Sequence, residues 1–73
     1  MSQLPRISGQ ECVKALLKAG FYFNRQHGSH IILRRNFPFA QLVVLNHKEL
    51  DKGTLRAIIR QADLGVEEFV KFL

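Results

Sequence analysis

Phe21-Tyr22-Phe23-Asn24-Arg25-Gln26-His27-Gly28-Ser29-His30-Ile31-Ile32-Leu33-Arg34-Arg35 reads as a β-hairpin. Aromatic and β-branched residues crowd both ends, and small, flexible residues interrupt them. Residues 21–26 predict a first strand, with Phe21 and Phe23 on one face. His27-Gly28-Ser29 predicts the turn, because Gly28 is free to take positive φ. Residues 30–35 predict a second strand. Side chains alternate along a strand, so His30 and Arg34 share a face.

The rest of the chain is placed from this hairpin outward. Residues 36–40 read as a loop, since Pro38 cannot donate to a central ladder. Residues 41–45, centred on Val43 and Val44, predict a third strand, and the short connections predict an antiparallel meander. Upstream, Ser8-Gly9-Gln10-Glu11 has the form of a capping box. It opens a helix to about residue 19 with Val13, Leu16 and Leu17 as its apolar stripe and Lys14 and Lys18 on the other side. Gly20 suits the left-handed C′ position, with Phe21 packing back on Leu16. Downstream, residues 46–49 form a loop, and Asp51 caps a helix from residue 52 to 61 or 62. Its inward stripe is Leu55, Ile58, Ile59 and Ala62. A last short helix over residues 67–73 buries Phe69 and Leu73. The expected fold is α+β: α-β-β-β-α, a three-stranded antiparallel sheet with the helices on one face and a short C-terminal helix. This is the arrangement of double-stranded-RNA-binding domains, a likeness of topology alone.

Seventy-three residues predict one domain, 1–73, with a core too small for a deep enclosed pocket, so any site is expected on an open surface. The chain is 47% hydrophobic, too rich for a disordered tail. The single cysteine, Cys12, excludes an internal disulfide and fits a reducing compartment. The start, Met1-Ser2-Gln3-Leu4-Pro5-Arg6, has no apolar leader segment, and no run has the length of a membrane span, so the expected location is cytoplasmic. Eleven Lys and Arg against 6 Asp and Glu leave a net charge of +5, which favours a polyanionic partner. No helix pairs a wide apolar face with a basic one, which argues against a membrane surface.

The sheet has more apolar side chains than one face needs. Phe21, Phe23, Ile31, Leu33, Val43 and Leu45 are expected on one face, which leaves Ile32, Leu42 and Val44 on the other. Either loop 37–39 covers this second set, or the second face binds a partner.

His30 is the leading candidate for chemistry. Histidine exchanges a proton near neutral pH, and an arginine on the same face holds a phosphate; together these suffice to cleave RNA without a metal. Gly28 and Ser29 let a phosphate approach the backbone, and the Ser29 hydroxyl can orient the ring or donate to a phosphate oxygen. No His–carboxylate partnership supports Ser29 as an acyl-transfer nucleophile. The three histidines, His27, His30 and His47, invite a metal reading, but no carboxylate or cysteine nearby in sequence completes a site, so no metal and no cofactor are expected. Lys52, Arg56 and Arg60 recur every four residues and form a basic line that can track a nucleic-acid backbone. Lys52 also stands at a helix N-terminus, where free amides favour an anion. Tyr22 is the one aromatic considered for base stacking; Phe21, Phe23 and Phe69 are assigned to the core.

Several stretches resemble the HicA family of type II toxins, also called YcfA-like proteins. They are Lys18-Ala19-Gly20-Phe21; Arg25-Gln26-His27-Gly28-Ser29-His30; Val43-Val44-Leu45-Asn46-His47; Lys52-Gly53-Thr54-Leu55-Arg56-Ala57-Ile58-Ile59-Arg60-Gln61-Ala62; and Glu67-Glu68-Phe69. The likeness covers nearly the whole chain and rests on all pieces in this order. It implies a fold like the double-stranded-RNA-binding domain, cleavage of mRNA as an endoribonuclease, and a HicB-like antitoxin that masks the toxin. The family's functional histidine falls in the Gly-Ser-His tripeptide and maps to His30. Family members often carry a proline near Asn46 and a glycine near Asp63. Asp63 therefore has to adopt or avoid a left-handed helix stop, which Asp tolerates better than most residues. Gly65 stands where a Ser or Thr cap is common.

The expected chemistry has His30 as general base on a ribose 2′-OH, with Arg34, and Lys52 or Arg25, steadying the phosphorane-like state. His27, His47 or water remain open as the general acid. The alternatives are a non-catalytic RNA-binding module, with His30 a mere phosphate contact, or an inactive protein that only binds its antitoxin.

Overall fold

A computed structural model describes residues 4–73. Residues 1–3, the first half of the stretch read for a leader segment, lie outside the described residues. The elements run α1 (Gly9–Lys18), β1 (Tyr22–His27), β2 (His30–Asn36), β3 (Phe39–Leu45), α2 (Lys52–Gln61) and α3 (Val66–Lys71). The strands form one antiparallel meander in the order β1-β2-β3. The arrangement is the expected α-β-β-β-α with an open three-stranded sheet, as in double-stranded-RNA-binding domains.

Local chemistry sets the helix limits. The Ser8 hydroxyl accepts from the Glu11 amide at 3.1 Å, and the Glu11 carboxylate accepts from the Ser8 amide at 3.0 Å, which completes the capping box. Gly9 occupies the first helical position for a steric reason. Its amide donates to the His47 carbonyl at 2.8 Å, and a Cβ there would collide with the Leu45 carbonyl, so the start of α1 is pressed against the end of β3. Both long helices end in the same reverse turn. At α1 the Phe21 amide reaches the Leu16 carbonyl and the Gly20 amide that of Leu17; at α2, Leu64 reaches Ile59 and Asp63 reaches Arg60. Gly20 takes φ 108°, and Asp63 adopts the left-handed conformation at φ 60°. At α3, Gly65 has no side chain to give, and only the reverse half of a capping box forms, its amide donating to the Glu68 carboxylate at 2.9 Å.

The core lies between the helices and one sheet face. Ile31, Leu33, Leu42 and Val44 meet Cys12, Val13, Ala15 and Leu16 of α1, Leu55, Ile58 and Ile59 of α2, and Phe69 of α3. Three expectations are corrected. Leu17 is exposed; Cys12 and Ala15 complete the buried stripe of α1 instead. Leu73 is also exposed. The third strand was placed one residue out of phase: the turn between β2 and β3 is only Phe37-Pro38, so Asn36 pairs with Phe39, Leu33 with Leu42 and Ile31 with Val44. Paired residues share a face, so Leu42 and Val44 are core while Val43 points away from the helices; Leu45, half-buried at the strand end, still packs against the core. The 37–39 segment covers nothing, since Phe37 is 93% and Phe39 69% exposed.

Arg35 links the layers. Its guanidinium donates to the Ala62 carbonyl at 3.0 Å, at the end of α2, and to the Pro38 carbonyl at 3.0 Å, and it lies over the Phe21 ring. This contact fixes the direction of α2: its C-terminus sits at the end of the sheet remote from His30, and Lys52 at the end where β2 begins.

Candidate active site

The site begins with the Gly28-Ser29 turn. His27 pairs directly with His30, so the loop holds two residues rather than three, and His27 is the last residue of a strand. Gly28 takes φ 56° while Ser29 stays at negative φ, the pattern of a type II′ turn, whose twist suits a tight hairpin. The Gln26 side chain donates to the Gly28 carbonyl at 2.9 Å. The Ser29 carbonyl accepts from the Asn46 amide at 2.7 Å, and the Asn46 side chain accepts from Gln10 of α1 at 2.9 Å. The hairpin tip is thereby tied to β3 and, through it, to α1.

A bulge in β1 decides which side chains join the histidine. Phe23 pairs with Leu33 but Arg25 pairs with Ile32, so Asn24 is an extra residue. Without it, Arg25 and His27 would continue the phase of Phe23 and face the helices. With it they turn to the open face, the re-aiming that bulges commonly perform. The open face therefore carries Tyr22, Arg25 and His27 from β1, His30, Ile32 and Arg34 from β2, and Gln41, Val43 and Leu45 from β3. Phe23 stays on the helix side of an edge strand and is 54% exposed.

His27 and His30 are both exposed, and among the described residues neither ring is held by a side-chain hydrogen bond. As cross-strand partners their Cβ atoms stand about 5 Å apart. Arg25 is the diagonal neighbour of His30, within about 8 Å between backbones. Arg34 shares the face but lies four residues along β2, about 13 Å away at strand rise. It is half-buried and donates to the Gln41 side chain at 2.8 Å, while Tyr22 donates to Asn36 at 3.1 Å nearby. Arg34 shares the face of His30 as expected, and by register Arg25 stands nearer to His30 than Arg34 does.

Lys52, Arg56 and Arg60 are exposed on α2, in the helical layer. Only Lys52 approaches the histidine end. The N-terminus of α2 is already filled by an anion: Asp51 accepts from the Thr54 amide at 3.2 Å and from the Thr54 hydroxyl at 2.6 Å. These Thr54 bonds, the hydroxyl first, hold the Asp51 carboxyl below its usual value. One amide of the expected phosphate seat, that of Thr54, is therefore already occupied. Ser29 and Gly28 are exposed at the tip. His47 leaves the sheet: its amide bonds back to the Leu45 carbonyl at 2.9 Å and its carbonyl is bonded by Gly9 on the helical side.

Among the described residues no group of three or more His, Cys, Asp or Glu is placed to hold a metal ion. Burial pushes the Cys12 thiol up to about 12, so it stays protonated and takes no part in the site. A depression of about 230 Å³ lined by Glu11, Lys14, Lys18, Phe72 and Leu73 lies between α1 and the C-terminus and contains none of these residues. Among the described residues no helix is long and apolar enough to cross a membrane.

Sequence reasoning missed the His27–His30 partnership and the bulge. A legible signal for the first existed, since Gly-Ser suffices for a two-residue II′ loop. Nothing in the local sequence marks Asn24 as the extra residue.

A family model described as HicA toxin of bacterial toxin-antitoxin matches residues 9–64, which is everything from α1 to the stop of α2. No curated protein matches the chain.

Proposed function

The chain belongs to the HicA toxin family of bacterial toxin–antitoxin systems, and from that premise we propose that it is a metal-independent endoribonuclease that cuts mRNA on the open face of its sheet. The observation that carries this reading is the position of His30: exposed, on a stiff central strand, unengaged, and diagonal to Arg25. His30 takes the proton from a ribose 2′-OH. The oxygen attacks the adjacent phosphorus, the P–O5′ bond breaks, and the products are a 2′,3′-cyclic phosphate and a 5′-OH. General base catalysis contributes about 10²–10⁴-fold. Arg25 holds the phosphate undergoing reaction, where charge grows in the transition state. Gly28 and Ser29 keep the tip narrow enough for the RNA backbone to pass. Arg34 contacts the strand further along the face, and Lys52, Arg56 and Arg60 contact flanking phosphates along α2. No cofactor is assigned.

The toxin acts as one domain over residues 1–73, in the cytoplasm where mRNA is translated. A HicB-like antitoxin neutralises it by covering the open face, where the exposed Val43 supplies apolar surface. The test is incubation of the purified protein with mRNA in excess EDTA, followed by end-group analysis. Cleavage leaving cyclic phosphate and 5′-OH ends, lost in His30→Ala with RNA binding retained, supports the reading. Binding without cleavage in the wild type leaves an RNA-binding module. Toxicity absent with and without the antitoxin leaves an inactive antitoxin-binding protein.

A further inference from the structure

We infer that His27 is the general acid of the reaction, so that the hairpin tip holds an acid–base pair in place of a lone histidine. The inference rests on the endoribonuclease reading above and completes it, because the departing 5′-oxygen needs a proton that His30, as base, has just removed from elsewhere. Register places His27 directly opposite His30 on the open face. Two features enforce this. The II′ turn at Gly28-Ser29 closes the hairpin in two residues, and the bulge at Asn24 sets the phase of Arg25 and His27. Without both, the second imidazole would lie in the loop or face the helices.

The geometry suits an in-line displacement. Cβ atoms about 5 Å apart let two rings approach opposite sides of one phosphorus at ordinary hydrogen-bond reach. Arg25, on the same strand and face two residues before His27, stands over the same position. Register gives no such pairing to His47, which lies beyond the end of β3 with its carbonyl bonded by Gly9 of α1.

The step balances. Neutral His30 accepts the 2′-OH proton as the O2′–P bond forms. Protonated His27 gives its proton to O5′ as the P–O5′ bond breaks. The enzyme is left with His30 charged and His27 neutral, and exchange with water restores the starting state. No oxidant, reductant or metal enters.

The test compares two oligonucleotides carrying the bond that the wild type cuts, one with the natural 5′-oxygen and one with sulfur in its place. A thiolate leaves without protonation. His27→Ala and His27→Asn should lose about 10²-fold or more on the oxygen substrate and cleave the sulfur substrate at close to the wild-type rate. His30→Ala should be slow on both. Circular dichroism and a melt confirm that each variant is folded, and the asparagine variant keeps the strand end polar if alanine frays it. Equal slowing on both substrates, or no slowing on either, overturns the assignment of His27 while leaving His30 as base. A wild type that cleaves no mRNA, so that no such bond can be chosen, overturns the endoribonuclease reading itself.

Discussion

The two faces of the same three strands have opposite occupations. The face under the helices presents Ile31, Leu33, Leu42 and Val44, each almost wholly excluded from solvent and joined to one core with α1, α2 and α3. The other face presents Arg25, His27, His30 and Arg34 around Ile32, with no helix above them among the described residues. Alternation along β2 puts a core residue beside a site residue at every step: His30, Ile31, Ile32, Leu33, Arg34. A domain this small has no interior to spare for chemistry. Stability is therefore concentrated on one face and reactivity left on the other, so the two should be separable by single substitutions.

The sharpest way to break this division is a pair of neighbours in β2. His30→Ala should abolish cleavage, by at least about 10²-fold, with little change in melting temperature, since the ring is exposed and makes no side-chain bond among the described residues. Leu33→Ala, three residues along on the other face and 0% exposed, should cost about 2–5 kcal/mol in denaturant unfolding, much of what a small domain possesses. Loss of stability with His30→Ala, or none with Leu33→Ala, would reverse the assignment of the faces.

The seam where α1 meets the end of β3 comes next. Gly9→Ala places a methyl against the Leu45 carbonyl and should destabilise by about 1–3 kcal/mol. Because Leu45 pairs with His30, this substitution should also disturb cleavage under conditions where the protein remains folded. Cys12 sharpens the contrast from within the core. Its thiol, raised to about 12 by burial, should resist a thiol reagent at neutral pH until denaturant is added, and blocking reagents should leave activity intact.

The smallest effects belong to the helix ends. Asp63→Gly relieves a left-handed residue and should stabilise by about 0.5–1 kcal/mol, net of the extra freedom of the unfolded chain. The Asp51 cap is ionised more readily in the folded state than in the unfolded chain, so its contribution is present above the unfolded carboxylate value of about 3.9 and fades as pH falls through the lower folded value. Melts of wild type and Asp51→Ala across acid pH should converge at the low end.

Much of this was legible from the sequence because its signals are local. The capping box, the Gly20 stop, the α2 stripe and the order of elements each depend on residues within a few positions of one another. The left-handed Asp63 was foreseen as a choice and is adopted. What escaped depends on register. A five-residue loop was expected at 36–40 where a two-residue turn suffices, and that shifted Val43 and Val44 to the wrong faces. A three-residue turn was expected at 27–29, which hid His27 from His30. The bulge at Asn24 compounds the same difficulty: one unpaired residue inverts every side chain beyond it, and local composition carries no mark of it. The N-terminus of α2 was read as an anion seat, and its own Asp51 already occupies the Thr54 amide there.

The account stands on metal-free scission of RNA by the histidine face. The direct measurement is cleavage, in excess EDTA, of a DNA strand carrying a single ribonucleotide within the sequence that the wild type cuts. The prediction is a single cut immediately 3′ of that ribose, leaving a 2′,3′-cyclic phosphate and a 5′-OH, and no cut when His30 is alanine. Cleavage that needs a divalent ion, that leaves a 5′-phosphate, or that survives His30→Ala would contradict it.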